Sequence, residues 1–338
     1  MTIHKSSLLS ARNLSVSFGN KKFKNQQLIH ALDGIDLDIL KGEILGLVGE
    51  SGCGKTTLGR TLLGQQRESN GDIWFNGSLV SNLEPKLARQ ARKDIQYVHQ
   101  DPGAALDPWW NIHSTLHESL IISGVKSKDE RQDRIDFMLK AVGLDPSLQK
   151  RYPHEFSGGQ LRRIGIARTL IQKPSVVILD EPTSGLDLSV QATVLKLFLE
   201  LKERFGLTYV FISHDLSVIK LLCTRVMVMY LGRIIEVAPS SHFAEHHAHP
   251  YSKALWSAAP KLDPDAIMDG HLLKGDPPSA SSLPVGCRFE PRCPIANSDC
   301  KVISPILKNI NLEHLVACDF VKPNSMSVVS KFYIKEST

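Results

Sequence analysis

Alternating apolar and polar residues predict that the chain begins as a series of β-strands. Residues 14–18 alternate leucine, valine and phenylalanine with serine, and residues 35–39 alternate isoleucine and leucine with aspartate. This period of two is typical of strands that bury one face. Residues 72–77 predict a further strand that closes in an Asn-Gly turn. Most of the region 8–47 is therefore predicted to be strand.

Later segments change to helical periodicity and to short buried runs. Residues 128–144 carry many charges at helical spacing, which predicts a surface helix of a helical subdomain. Residues 186–205 predict a long amphipathic helix, because valines and leucines recur at steps of three and four. Short runs without charge predict buried parallel strands. Two such strands are expected at Val176–Leu179 and Thr208–Ile212, and a hairpin at Val226–Tyr230 and Arg233–Val237.

The composition changes after residue 238. A group of histidines comes first, followed by residues 260–284, which are rich in proline, serine and aspartate, as linkers are. The histidines are His242, His246, His247 and His249. Because the flanking composition is that of a linker, we predict a solvated loop here and not a metal site. We place a boundary at residue 250, between a large domain (1–250) and a C-terminal region (251–338) that is too small to bury a good core unaided.

Composition and charge narrow the class of protein. The 338 residues are 42% hydrophobic and 22% charged, which is ordinary globular composition. A net charge of +5 is too small to argue for nucleic acid as a partner. The sequence lacks an apolar run of about 20 residues and a signal peptide, so we expect a cytosolic chain that acts at a membrane only through partners. In that compartment the six cysteines do not predict disulfides.

A glycine-rich loop carries the first chemical signal. Residues 49–57 fit the pattern G-x4-G-K-[ST], after an apolar strand at 44–48 and before a helix. The glycines let backbone amides point at phosphates, and the helix N-terminus favours negative charge. Lys55 can reach the β- and γ-phosphates, and the Thr56 hydroxyl can ligate Mg²⁺. The expected nucleotide contacts are Gly49, Ser51, Gly52, Cys53, Gly54, Lys55, Thr56 and Thr57.

Two carboxylates follow the buried strand at 176–179. Asp180 and Glu181 stand at its C-terminal end, where open parallel sheets bind ligands. We expect Asp180 to hold Mg²⁺ and Glu181 to act as the general base that polarises the attacking water.

Residues 156–160, Phe-Ser-Gly-Gly-Gln, closely resemble the signature motif of ABC-transporter ATP-binding subunits. A Ser-Gly-Gly turn that feeds a helix is a second anion site of the same physical kind as the phosphate loop. The resemblance implies that this second site serves the nucleotide of a partner, in a head-to-tail dimer that buries two ATP molecules. The residues assigned to it are Ser157, Gly158, Gly159 and Gln160.

Further landmarks of this family occur in the expected order. Gln100 matches the glutamine that touches Mg²⁺ and the attacking water, and His214 matches the switch histidine at the γ-phosphate. Asp187 lies in the D-loop, and Phe18, with Phe23 as an alternative, matches the aromatic that stacks on adenine. The resemblance implies an α/β fold: an ABC-type P-loop ATPase core with a mixed RecA-like sheet, an antiparallel β subdomain, a helical subdomain at about 101–165 and a small Cys-rich C-terminal extension.

Several segments resemble the dipeptide and oligopeptide importer branch. They are residues 49–55, 100–102, 152–160, 249–251 and 287–294. The branch also includes importers of nickel chelates and of oligosaccharides, so the cargo stays open. The resemblance implies an ATPase subunit on the cytoplasmic face of the bacterial inner membrane. Its partners would be a second, paralogous ABC ATPase, two permeases and, through these, an extracytoplasmic binding protein.

Two other functions fit the sequence less well. A soluble ABC ATPase of DNA repair or translation would carry long coiled-coil insertions or two cassettes, and the sequence has neither. A regulatory module with little hydrolysis would have lost Glu181 or His214, and both are intact. Trp109 and Trp110 follow Gln100 closely and are assigned with equal weight to a permease contact or to the core of the helical subdomain.

A cysteine cluster marks the C-terminal region. The cysteines are Cys287, Cys293, Cys300 and Cys318, with the spacing C-x5-C-x6-C-x17-C. Zinc sites usually contain a C-x2-C or C-x4-C pair, which is absent here. We favour a structural [4Fe–4S] cluster, which relatives with this tail are thought to carry, over zinc and over free thiols. Nucleotide binding at Lys55 is expected to be independent of this cluster, because it belongs to the other domain.

Overall fold

The computed structural model describes residues 7–19, 28–81, 83–258, 275–311 and 313–322. Within these ranges the chain forms two β-sheets and a set of helices. The strands are β1 Ser7–Phe18, β2 Ile29–Leu40, β3 Ile44–Val48, β4 Asn70–Phe75, β5 Ser78–Leu79, β6 Ile95–Val98, β7 Val176–Asp180, β8 Thr208–Ile212, β9 Arg225–Tyr230, β10 Arg233–Pro239, β11 Lys308–Asn311 and β12 His314–Val316. The α-helices are α1 Lys55–Leu63, α2 Pro85–Ala91, α3 Ile112–Ile122, α4 Lys128–Ala141, α5 Gly158–Leu170, α6 Leu188–Phe205, α7 Leu216–Leu222, α8 Ser240–His246 and α9 Pro250–Ser257.

The smaller sheet is antiparallel and confirms the strands predicted near the N-terminus. Its order is β2-β1-β4-β5. The alternating residues Leu14 and Val16 of β1 are fully buried, as the period of two requires. The predicted Asn-Gly turn joins β4 to β5, where Asn76 and Gly77 have φ values of 49° and 74°. Two consecutive positive φ values are the geometry of a tight hairpin turn.

The larger sheet is mixed and carries the site. Its order is β11-β12-β10-β9-β3-β8-β7-β6, in which the five strands from β9 to β6 run parallel. The runs predicted as buried strands form β7 and β8, and the predicted hairpin forms β9 and β10. Because these strands are parallel, the loops after β3, β6, β7 and β8 emerge at one edge of the sheet. This edge is where open parallel sheets bind ligands.

The predicted helices form with small shifts at their ends. The helix predicted at 128–144 is α4, which ends at Ala141, and Ser127 caps its N-terminus by accepting a hydrogen bond from the Glu130 N–H. The helix predicted from residue 186 begins at Leu188, because the Asp187 carboxylate accepts the backbone N–H groups of Ser189 and Val190. An acidic N-cap of this kind fixes where a helix starts.

The histidine segment was predicted to be a solvated loop, and that prediction is wrong. His242 and His246 lie in α8, His247 lies in the short link between α8 and α9, and His249 is only 2% exposed. His249 caps α9 by accepting the Tyr251 N–H at 3.0 Å. The physical reason is the buried Glu236, whose carboxylate accepts the N–H groups of Ala248 and His249 at 2.7 and 2.9 Å. Most of the predicted linker at 260–284, namely residues 260–274, lies outside the described residues.

Residues 275–322 pack against the sheets. Strand β12 pairs antiparallel with β10, and β11 pairs with β12 at the sheet edge. The His314 imidazole lies 2.8 Å from the Glu236 carboxylate, and both side chains are almost fully buried. Arg288 donates to Asp33 of β2 and to the Leu231 carbonyl between β9 and β10. These contacts fix the cysteine-containing segment against β2 and the β9–β10 hairpin.

Two further features concern surfaces. The side chain of Trp109 is 84% exposed and that of Trp110 is 41% exposed, so neither is a core residue of the helical region. In the part of the chain that is described, every helix is too short or too polar to cross a bilayer.

Candidate functional site

The loop between β3 and α1 is shaped by glycines that no other residue could replace without strain. Gly49 has a φ of 149°, and a Cβ there would lie 2.3 Å from the Met229 carbonyl oxygen. Gly54 has a φ of 109°, and a Cβ there would lie 2.5 Å from the Ala31 carbonyl oxygen. These contacts explain why the predicted glycine pattern is needed: the loop turns tightly against two neighbouring strands.

Lys55 begins α1 and turns back over the loop. Its Nζ donates to the carbonyl oxygens of Gly49 and Glu50 at 2.7 and 2.9 Å. Lys55 is 7% exposed, so its charge is buried against the loop. Burial is the largest influence on Cys53 beside it and raises the pKa of that thiol. The loop thus has a fixed cation and a helix start, both suited to phosphate.

A hydroxyl and a carboxylate meet at the end of β7. Thr56 Oγ1 donates to Asp180 Oδ2 at 3.1 Å. The Tyr97 hydroxyl of β6 donates to the same carboxylate oxygen, and its pKa is raised by burial and then by Asp180. The predicted Mg²⁺ ligands Thr56 and Asp180 are therefore brought together, and Tyr97 is an orienting residue that the sequence did not single out. A hydroxyl beside a carboxylate is a donor set suited to Mg²⁺.

Glu181 occupies an unusual backbone position. Its φ is 49°, in the left-handed region that costs a non-glycine residue about 1–2 kcal/mol. Its N–H donates to the Ile212 carbonyl at 2.9 Å, which ties the end of β7 to β8. Its carboxylate Oε1 lies 3.1 Å from Nδ1 of His214. Strain of this kind is often retained where a side chain must be aimed, so the geometry supports Glu181 and His214 as a functional pair.

Gln100 follows β6 and faces the residues after β7. Its side-chain amide donates to Ser184 Oγ at 3.2 Å. Arg162 of α5 donates to the Gln100 carbonyl and to the Pro182 carbonyl, each at 3.1 Å. Arg162 therefore links the helix behind the signature motif to the loops that follow β6 and β7. Sequence reasoning did not find Ser184 or Arg162 in these roles, because their signal lies only in tertiary contacts.

The signature motif forms the start of α5. Ser157 Oγ accepts the Gln160 N–H at 3.3 Å, and Gln160 Oε1 accepts the Ser157 N–H at 3.0 Å, which is a reciprocal capping box. A Cβ on Gly158 or Gly159 would meet nothing within 4 Å, so the space above the turn is open. A cavity of about 510 Å³ beside the turn is shared with α6, which Asp187 caps.

Phe18 ends β1 with a side chain that is 39% exposed, so its ring is accessible to a base. The alternative, Phe23, lies outside the described residues.

The four C-terminal cysteines line one cavity of about 190 Å³. All four are free thiols, and burial raises the pKa of Cys293 to about 11. Among the residues that the structure describes, no three histidine, cysteine or acidic side chains converge closely enough to hold a single metal ion. The four cysteines of the predicted iron–sulfur site therefore line one cavity, but their side chains do not converge on a single point.

Comparison with protein families gives two matches. Residues 32–184 match the ABC transporter family, and residues 235–300 match the C-terminal region of oligopeptide and dipeptide transporters. The second match includes Cys287, Cys293 and Cys300 but ends before Cys318.

Relatives named for peptide transport align along nearly the whole chain. The oligopeptide transport ATP-binding protein AppF of Bacillus subtilis is 45% identical, over 86% of this chain and 89% of its own. The dipeptide transport ATP-binding protein DppF of Haemophilus influenzae is 44% identical, over 92% of this chain and 96% of its own. The oligopeptide transport ATP-binding protein OppF of Salmonella typhimurium is 42% identical, over 94% and 97%.

Solved structures share the fold. The cbiO1 subunit of the cbiONQ transporter complex from Clostridium perfringens has a TM-score of 0.63 and 31% identity, over 71% of this chain and 92% of its own. The ATP-binding cassette MJ0796, solved as a dimer in a post-hydrolysis state with ADP and Pi, has a TM-score of 0.60 and 26% identity, over 69% and 98%.

Fold, site and sequence similarity agree on the class: the chain belongs to the ABC-transporter family of ATP-binding ATPase subunits. ATP and Mg²⁺ are the ligands expected for this class. Within the family the chain belongs to the dipeptide and oligopeptide importer branch, as the similarity of its C-terminal region and of its relatives shows.

Proposed function

We propose that this chain is the ATP-hydrolysing subunit that powers a bacterial importer of dipeptides or oligopeptides. Support comes from the relatives named for peptide transport, which align from end to end, and from the match of residues 235–300. The subunit acts on the cytoplasmic face of the inner membrane, bound to two permeases that receive cargo from an extracytoplasmic binding protein. Nickel chelates and oligosaccharides are the alternative cargoes.

The proposal of an ATPase pair depends on the second anion site, at the signature motif, which is exposed to solvent. Ser157, Gly158 and Gly159 are solvent-exposed, and the start of α5 opens onto a cavity that no residue of the phosphate loop lines. An open anion site that does not serve the chain's own nucleotide suits the nucleotide of a second ATPase subunit. We propose a paralogous partner, with two ATP molecules buried between the subunits.

We propose the following residue roles, which the contacts described above support. Thr56 and Asp180, which are in contact, would hold Mg²⁺, and Gln100 would be the third residue to contact the metal and the attacking water. Glu181 accepts a proton from that water, and His214 contacts the γ-phosphate. The phosphate loop and Phe18 contact the chain's own ATP. Residues 157–160 and Asp187 contact the ATP of the partner subunit.

The exposed tryptophans extend the proposal to the permease. Trp109 and Trp110 lie between Gln100 and α3, so a contact there can move the loop that reaches the nucleotide. Large exposed aromatic residues are typical of interaction surfaces. We assign this surface to a cytoplasmic segment of a permease.

A structural [4Fe–4S] cluster, held by Cys287, Cys293, Cys300 and Cys318, completes the proposed Cys-rich C-terminal extension. Its support is the shared cavity of about 190 Å³. A cluster of eight atoms spreads its four thiolate ligands more widely than one zinc ion does, so cysteines arranged around a cavity suit it better. When bound, the cluster would supply cross-links to a segment with little core of its own.

Reconstitution tests the function. The chain is assembled with its partner ATPase and two permeases in liposomes, and ATP hydrolysis is measured with a binding protein loaded with peptide, nickel chelate or oligosaccharide. We expect peptide to stimulate hydrolysis, and the Glu181→Gln assembly to serve as the inactive control. Stimulation only by another cargo would replace the peptide assignment. Failure to associate with the permeases would favour a soluble ATPase.

A further inference from the structure

The C-terminal segment makes a direct ion pair with the phosphate loop. Arg292 lies in the short 3₁₀ turn Glu290–Arg292, one residue before Cys293. Its guanidinium donates to both carboxylate oxygens of Glu50, at 2.7 and 2.9 Å. The Arg292 side chain is 4% exposed and that of Glu50 is 25% exposed, so solvent screens the pair only partly. Two parallel bonds from a buried guanidinium fix both the position and the orientation of the carboxylate.

A second contact reaches the backbone of the same residue. The Tyr251 hydroxyl of α9 accepts the Glu50 N–H at 2.7 Å. The Tyr251 ring is fully buried and packs against Tyr230 and Phe289, with ring centroids 4.7 and 5.5 Å away. The hydroxyl is therefore held rigidly. On the other side, Lys55 donates to the Glu50 carbonyl. Glu50 is thus held at its side chain, its N–H and its carbonyl.

Charge gives the ion pair a further consequence. Glu50 is an acidic residue inside a loop whose amides and Lys55 are arranged to attract a triphosphate. An uncompensated carboxylate there would repel the phosphates. Arg292 both neutralises that carboxylate and holds it in place.

We propose that Arg292 and Tyr251 are positioning residues that hold Glu50 and thereby set the affinity of the phosphate loop for ATP. A loop ordered before binding costs less conformational entropy when the nucleotide arrives. The expectation that nucleotide binding is independent of the C-terminal region is then replaced by its opposite: what disturbs the turn at residues 290–293 also weakens ATP binding.

Equilibrium binding of a fluorescent ATP analogue to the full-length isolated chain tests the proposal. Arg292→Ala is expected to raise the Kd about tenfold, the scale of ordinary coupling between sites. Tyr251→Phe, which removes one hydroxyl and keeps the ring, is expected to raise it about fivefold, the effect of one hydrogen bond. Lys308→Ala is the matched control, because it breaks an exposed ion pair with Asp319 in the same segment, and its Kd should equal that of the wild type.

A rescue variant separates neutralisation of the Glu50 carboxylate by Arg292 from general destabilisation. If Arg292 neutralises Glu50, the double variant Glu50→Gln with Arg292→Ala should bind ATP more tightly than Arg292→Ala alone, because the unpaired charge is gone. A merely structural role predicts no such recovery. Unchanged affinity in Arg292→Ala, or no recovery in the double variant, would overturn the proposal. If Arg292→Ala does not fold, Arg292→Lys and Tyr251→Phe decide the question, and wild-type affinity in both would overturn it.

Discussion

The imidazole Nδ1 of His214 lies 3.1 Å from Oε1 of Glu181, so the two residues proposed to act on the γ-phosphate and on its attacking water contact each other directly. They follow neighbouring strands, β8 and β7, and the Glu181 N–H bonded to Ile212 keeps those strand ends together. His214 is 64% exposed at its side chain, so it is free to turn toward a γ-phosphate.

Glu181→Gln should keep ATP binding and lose most hydrolysis. The amide preserves the shape of the side chain but cannot accept a proton from water, and a general base contributes about 10²- to 10⁴-fold to rate. The variant should also trap the closed ATPase pair. Phosphate release and size-exclusion chromatography with ATP measure both effects. Hydrolysis at the wild-type rate would place the base elsewhere.

Lys55→Ala and Ser157→Arg should distinguish the roles of the two anion sites, the phosphate loop and the signature motif. Lys55→Ala should weaken nucleotide binding by the isolated chain, because it removes the cation of the chain's own loop. Ser157→Arg should leave that binding nearly intact and abolish turnover in the assembled pair, because it fills the open space above Gly158. Ser157→Ala is the control for the lost helix cap, which costs about 1 kcal/mol. If Ser157→Arg blocks nucleotide binding by the isolated subunit, the signature motif does not serve only the partner's nucleotide, and the proposal is wrong.

Protein purified without oxygen should be brown and hold about four irons per chain, as four-cysteine ligation of one cluster requires. Cys293→Ser should remove the colour and loosen the C-terminal segment, whereas Cys223→Ser, at a buried thiol beside Gly46, should keep the colour. Through Arg292, Cys293→Ser should also weaken ATP binding. Iron analysis and absorbance measure the first effect. Colourless protein with one zinc per chain would favour zinc, and metal-free protein with an ordered segment would exclude both metals.

Glu236→Gln should lower the free energy of unfolding and make it depend less on pH in the acidic range. Burial raises the pKa of Glu236, but hydrogen bonds from His314 and from the Ala248 and His249 N–H groups outweigh it, and the folded-state pKa lies below the ordinary value of 4.5. A lowered folded pKa stabilises the native state above pH 4.5, and that contribution is lost as the pH falls through the folded value. We expect a loss of about 1.5–3 kcal/mol at neutral pH.

Thermal unfolding from pH 7 to pH 3 tests this prediction. Glu245→Gln, at an exposed carboxylate in the same region, is the matched control and should behave as the wild type. Equal pH dependence in Glu236→Gln and the wild type would show that Glu236 is not the linked group.

Local patterns predicted the parts of the fold that local physics determines. The alternation in β1, the uncharged runs of β7 and β8 and the phosphate-loop glycines each reflect a short stretch of backbone with one favourable conformation. The histidine segment was mispredicted because Glu236, which lies on another element, supplies the acceptor that orders it.

The sequence also gave no sign of contacts between distant elements. Arg162 and Tyr97 orient site residues far from them in the chain, and the pair of Arg292 with Glu50 spans 242 positions. Such pairs have no spacing rule, since they depend on how whole elements pack. The glycine-rich motif locates the phosphate loop in the sequence, but it does not reveal that Arg292 of the C-terminal segment holds Glu50 of that loop.

The antiparallel edge of the large sheet has a consequence for biosynthesis. Strand β10 and the buried carboxylate of Glu236 leave the ribosome well before β12 and His314, which lies 78 residues later. Until then the nascent chain presents an open strand edge and a carboxylate without its imidazole partner, and open edges invite pairing with other chains. A ribosome that stalls between residues 240 and 310 would therefore release an aggregation-prone intermediate, although it had already made every residue of the phosphate loop and of the signature motif.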